Sequence, residues 1–162
     1  MKLAFFLVLS LFSLSCFALD APKGKVVLAV SGALSQQNSG KNAEFSMDML
    51  TKLPQHSFVS KTPWYEKPVK FTGPLLRDVL AAAGAKGVQI SALALDDYRV
   101  EIPFEDAIKY PIIIARLLDD KPMAVRDKGP LFIVYPFDQY KELHQDVYYT
   151  RSVWQLSKII VQ

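Results

Sequence analysis

A single cysteine, Cys16, stands in the whole chain, and it falls inside an N-terminal segment with the three parts of an export signal. Lys2 supplies positive charge, residues 3–12 are apolar except Ser10, and residues 13–18 form a short polar-apolar region ending on the small Ala18. The run is too short to span a bilayer and is followed at once by Asp20, Pro22 and Lys23. Residues 1–18 are therefore expected to be a cleaved signal peptide. Residues 19–162 are expected to be one periplasmic domain with no membrane insertion after cleavage. Lipidation of Cys16 is the competing reading; Ser13 disfavours it, standing where a leucine-like residue is expected. A chain cut after Ala18 has no thiol. It has no disulfide, no thiolate nucleophile and no thiolate metal ligand, and it must hold together through its core alone. The formal net charge of +3 includes Lys2. So mild a balance argues against a nucleic-acid partner or an anionic membrane surface.

The rest of the chain reads as many short segments. Residues 25–30 form a strand closed by Ser31-Gly32, and residues 35–42 a polar loop. Ser46 caps a short helix that Pro54 stops. Residues 56–61 form a strand, after which Pro63 forces Thr62 extended. Gly73-Pro74 is expected to open the clearest helix, with Leu75, Leu76, Val79, Leu80 and Ala83 as its apolar stripe and Gly84 at its end. Residues 88–95 and 98–102 are strands about an Asp96-Asp97 turn, the second alternating with Arg99 and Glu101 on one face. Pro103 starts a helix carrying Glu105 and Asp106 in its first turn, where the helix dipole favours acids. Residues 111–117 form a buried strand and residues 131–135 another strand, and residues 148–161 are rich in strand formers. The pattern predicts an α+β domain of mixed or antiparallel sheet with short helices.

Several chemistries find no support. The two histidines, His56 and His144, have no ligand spacing. Glu142, His144 and Asp146 sit together in a charged loop that reads as solvated. No glycine-flanked serine elbow and no glycine-rich phosphate loop occur. The acid pairs Asp96-Asp97 and Asp119-Asp120 fall in turns, where aspartate is common for backbone reasons.

Six motifs in order carry a resemblance: Thr62-Pro63-Trp64; Phe71 to Leu80 (FTGPLLRDVL); Ala94 to Tyr98 (ALDDY); Ile102 to Asp106 (IPFED); Val125 to Pro136 (VRDKGPLFIVYP); and Arg151 to Leu156 (RSVWQL). Together they are similar to the oxidoreductase molybdopterin-binding domain, the sulfite oxidase fold, across roughly residues 25–161. The resemblance implies a mixed sheet with a barrel-like core. Enzymes of that family place a molybdenum-ligating cysteine shortly before the tryptophan segment. Here that place falls near Ser60, and a serine hydroxyl is a poor soft-metal ligand. The chain therefore resembles small exported members without the cysteine, which are implied to bind a free reduced pterin, without molybdenum. They are also implied to report it to the periplasmic part of a membrane-bound cyclic-di-GMP enzyme.

A pterin needs a flat apolar surface and fixed polar groups along its amino-pyrimidinone edge. Trp64 can present its ring after the proline turn, or serve as a core residue under the helix after Gly73. Trp154, flanked by Val153 and Leu156 in the last strand, fits core packing better than ligand contact. Asp97 is the first candidate for the ring's N–H edge, with Asp127 and Asp138 in reserve; an ordinary turn aspartate is its other reading. Tyr98 can close over the ring or fill a strand face. Arg126 can meet the pterin carbonyl or an acidic tail, or be a solvated strand-end arginine. By resemblance, Arg151 and Ser152 match a cofactor-contacting basic residue and serine, with Tyr148 and Tyr149 adding ring surface before them. Ser60, Thr62, Trp64, Asp97, Tyr98, Arg126, Tyr149, Arg151, Ser152 and Trp154 are thus the expected ligand-binding set, with no catalytic residue. Two other readings remain: a molybdopterin-dependent oxidoreductase without cysteine ligation, and an adaptor with a vestigial pocket acting through its surface, which would include residues 112–115 only if that run were exposed and not the central strand it reads as.

Overall fold

A computed structural model describes residues 19–162; the expected signal segment, its Lys2 and Cys16, and the cut after Ala18 lie outside the described residues. Eleven strands and four short α-helices follow one another as β1 (Val26–Gly32), β2 (Ala43–Ser46), α1 (Met47–Lys52), β3 (Gln55–Ser60), β4 (Val69–Pro74), α2 (Leu76–Ala82), β5 (Gln89–Ala94), β6 (Arg99–Pro103), α3 (Phe104–Lys109), β7 (Ile113–Ala115), β8 (Leu117–Leu118), β9 (Lys121–Pro122), β10 (Phe132–Val134), α4 (Asp146–Thr150) and β11 (Leu156–Val161). They build a five-stranded sheet in the order β2-β1-β11-β5-β6, a four-stranded sheet β3-β4-β8-β9, and a β10-β7 pair. This is a mixed α+β architecture of several sheets. They do not close into a barrel, which corrects the barrel-like expectation: β2 and β6 remain as the two edges of the larger sheet.

The last strand takes a central place. β11 runs parallel to β1, with Ala29 opposite Lys158, and antiparallel to β5, with Ile159 opposite Ala92. Leu28, Val30, Ile90 and Ile159 point from these strands into the core at no exposure. α2 buries Leu76, Val79 and Leu80 from one stripe, each contributing about 2 kcal/mol. β7 and β10 are buried at every position, so their apolar runs show no alternation. Ile112 to Ala115 is thus interior at 0–1% exposure, and the idea that this run is a working surface is wrong.

Three local expectations change. Gly73 and Pro74 end β4 and do not open the helix, which starts at Leu76. Gly73 is required because a Cβ there would run into the Ile114 carbonyl where β4 crosses β7. Residues 148–161 divide into helix α4 and strand β11, with a bend carrying Trp154 between them. Ser46 stands at the N-cap of α1 as expected, but its hydroxyl makes no cap bond and is buried without a partner. Among the described residues no helix is long and apolar enough to cross a membrane.

Candidate functional site

The loop between β3 and β4, the β5-β6 turn and the segment from α4 to β11 meet around one cavity of about 450 Å³, lined by Trp64, Asp96, Tyr98, Tyr149, Thr150, Ser152, Val153 and Trp154. Four of these residues are aromatic and come from three distant parts of the chain. A larger cavity of about 570 Å³ lies elsewhere, under α1 and residues 19–23. It contains none of the expected ligand-binding residues, and its single aromatic wall is Phe45.

Trp64 is half-buried and packs edge-on into a ring cluster. Its centroid lies 5.4 Å from Phe132, 6.1 Å from Phe137, 6.2 Å from Tyr149 and 5.9 Å from Trp154. Edge-to-face pairs of this kind are favourable by about 1 kcal/mol beyond burial. Trp64 is therefore both a core contact and a cavity wall, and its ring partners come from outside α2.

Trp154 departs from the core role, at 38% exposure. Gln155 fixes it from behind with a positive φ of 53°. The Gln155 N–H donates to the Lys128 carbonyl at 3.0 Å, its side-chain amide to the Val125 carbonyl at 2.7 Å, and its own carbonyl accepts from Leu95 at 3.0 Å. Lys128 in turn holds its ammonium 5.5 Å from the Trp154 centroid and 5.3 Å from that of Tyr65, a cation–π arrangement that steadies both rings.

The polar groups differ from those expected. Asp97 occupies the left-handed turn position, φ 66°, which aspartate tolerates, and it does not line the cavity. Its neighbour Asp96 does, with Oδ1 accepting from the Tyr98 N–H at 3.2 Å. Ser152 lines the cavity while its hydroxyl donates to the Tyr148 carbonyl at 3.1 Å. Arg126 is 88% exposed in side chain, pairs only with its neighbour Asp127 at 3.5 Å, and lies off the cavity.

Arg151 lies in an adjoining depression that shares Tyr98 and Thr150 with the cavity. Its guanidinium is already committed: Nη1 donates to Asp106 Oδ2 at 2.9 Å, and the Tyr135 hydroxyl donates to the same oxygen at 2.8 Å. Burial, then the Asp106 charge, pushes the Tyr135 phenol far above its ordinary value. Tyr135 therefore stays a proton donor to the carboxylate throughout the neutral range. Trp64, Asp97 and Arg151 consequently do not share one cavity, contrary to the expected constellation.

Ser60 is fully buried and does not line the cavity. Its hydroxyl donates to the Lys61 carbonyl at 3.3 Å and accepts from the Asp138 N–H at 3.4 Å. Asp138, a reserve ligand, instead accepts from the Lys61 N–H at 2.8 Å. Thr62 sits in a side groove with Lys61, Pro63, His144 and Tyr149, its own hydroxyl buried without a partner. The sequence reading missed Asp96, Thr150, Val153 and Lys128 as cavity or ring contacts. A short side chain two residues before an amide, as in Asp96 before Tyr98, is a recognisable turn signal that would have favoured Asp96 over Asp97. Among the described residues no group of three or more His, Cys, Asp or Glu gathers at one place. No protein-family model matches the chain and no curated protein matches it.

Proposed function

We propose that this protein binds a flat nitrogen heterocycle of the pterin class in the Trp64–Trp154 cavity, without chemical turnover. We further propose that it acts in the periplasm as the occupied-or-empty input to a membrane cyclic-di-GMP enzyme. One observation carries the binding reading: four aromatic side chains, Trp64, Tyr98, Tyr149 and Trp154, converge from separate segments on a cavity of about 450 Å³. That volume suits a bicyclic ligand. Asp96 is the single carboxylate on the wall; exposed at the mouth of the cavity, it can accept charge-assisted bonds from an amino-pyrimidinone edge. The sulfite oxidase-like order of motifs supports the pterin identity and is the sole support for the signalling role. The experiment is native: protein purified from the periplasm is denatured and the released small molecule examined by fluorescence and mass spectrometry. A stoichiometric pterin supports the reading. Release of nothing, together with no calorimetric heat on adding tetrahydropterins, ends it.

A further inference from the structure

The two edges of the five-stranded sheet are treated differently. At β2, the side-chain amide of Asn38 occupies the edge: its Oδ1 accepts from the Glu44 N–H at 2.7 Å and its Nδ2 donates to the Glu44 carbonyl at 2.9 Å. A blocked edge of this kind resists pairing with another chain. At β6 there is no such plug. The Tyr98 carbonyl accepts from Ala94 at 2.9 Å and the Phe104 N–H donates to Val88 at 3.0 Å, and Val100 and Ile102 lie opposite Ala92 and Ile90. Even-numbered residues therefore turn their backbone groups toward β5, and Arg99 and Glu101 turn theirs outward. Among the described residues, nothing bonds the backbone N–H or C=O of Arg99 or Glu101.

We infer that β6 is an association edge that takes a second copy of this chain, antiparallel, about a two-fold axis through Val100. The edge is complementary to itself. That axis sets Arg99 of each copy directly across from Glu101 of the other, as a hydrogen-bonded pair with opposite charges on one sheet face. Both side chains are exposed. Arg99 has no acidic partner among the described residues, while the Glu101 carboxylate accepts from the Ser91 hydroxyl at 2.6 Å and the Gln89 side-chain amide at 3.0 Å and keeps lone pairs for a facing guanidinium. On the other face Val100 and Ile102 are already packed within their own chain, at 7% and 0% exposure, and Tyr98, 51% exposed, is left to reach across the seam beside α4 residues Val147 and Thr150. Pro103, which has no N–H to give, ends the seam. The inference rests on the strand edge and is independent of what the aromatic cavity binds. Because Tyr98 also lines that cavity, the seam runs beside it, and a ligand there would be linked to association.

The test is sedimentation velocity of the purified protein over rising concentration. The expected result is a reversible monomer–dimer equilibrium. Arg99→Glu alone, or Glu101→Arg alone, puts like charges together twice and should weaken the dimer about tenfold or more. The double exchange R99E/E101R should restore it. Mixing the two single variants should yield a heterodimer, because every facing pair is then again an acid and a base. In the unaltered protein, amide hydrogen exchange at Arg99 and Glu101 should slow as concentration rises. A protein that stays monomeric at every concentration, or a dimer indifferent to these changes and showing no slowing at those two amides, overturns the inference.

Discussion

Trp64 and Trp154 meet edge to face, centroids 5.9 Å apart and planes at 80°, although one comes from the loop before β4 and the other from the bend before the last strand. The contact joins the two halves of the ring-walled cavity. It also divides their labour. Trp64 is wedged among Phe132, Phe137 and Tyr149, whereas Trp154 leaves more than a third of its surface open.

That division predicts different outcomes for the same substitution. Trp154→Ala should lower the melting temperature less than Trp64→Ala does, since more than a third of the Trp154 surface is open, yet weaken pterin affinity about tenfold through lost stacking. Trp64→Ala should cost about 3 kcal/mol of stability as well. Thermal melts beside calorimetric titration separate the two effects.

The acid on the wall is Asp96, so neighbouring aspartates should behave unequally. Asp96→Asn is expected to weaken pterin binding by about tenfold, the loss of a charge-assisted bond at an exposed carboxylate. Asp97→Asn should leave affinity unchanged, because asparagine also accepts the left-handed turn position. Titration calorimetry on the two variants checks this; equal losses would assign the edge contact elsewhere.

Arg151 is predicted to matter for folding. Arg151→Ala leaves Asp106 with its charge in a nearly closed site, at a cost of about 3 kcal/mol. Arg151→Lys should recover only part of it, since a point charge replaces the guanidinium fork. Urea denaturation gives the stability, and ligand affinity measured well below the unfolding transition should be little altered.

Alkaline pH should unfold the protein partly through Tyr135. Its folded value is raised, by burial first and by Asp106 next, above the ordinary 10.0. The unfolded chain therefore gives up a proton above pH 10 that the folded chain keeps. Stability is fully present below that pH and falls as pH rises past it, by about 1.4 kcal/mol per pH unit for this one group. Tyr135→Phe should be less stable at neutral pH by about 1 kcal/mol, the lost bond to Asp106. Its decline above pH 10 should be shallower than that of the unaltered protein. Parallel slopes for the two would exclude Tyr135 as a source of the decline.

Local pattern made part of this fold legible. Arg99 and Glu101 alternate with Val100 and Ile102 as exposed and buried residues of β6, and Pro103 does stand at the head of α3. What pattern could not supply was partnership at long range. Asp106 looked like a helix-dipole residue until Arg151 and Tyr135 converged on it. Gly73-Pro74 carried a helix-start signal, but the demand on Gly73 comes from Ile114 on another strand. Trp154 looked like core because its sequence neighbours are apolar, and its exposure follows from the Gln155 bend. In the cavity, aromatic membership was readable from the motifs. The choice between Asp96 and Asp97 lay in the turn geometry, Asp96 accepting from the Tyr98 N–H and Asp97 taking the left-handed position.

Both tryptophans of the chain line the proposed ligand cavity, so intrinsic fluorescence reports directly on whether a heterocycle enters it. Titration of the ligand-free protein with a tetrahydropterin, kept reduced under argon, should quench tryptophan emission saturably at one equivalent, and Asp96→Asn should move the midpoint to higher concentration. Emission that stays constant after correction for light absorbed by the pterin, or falls linearly without saturation, would contradict the account.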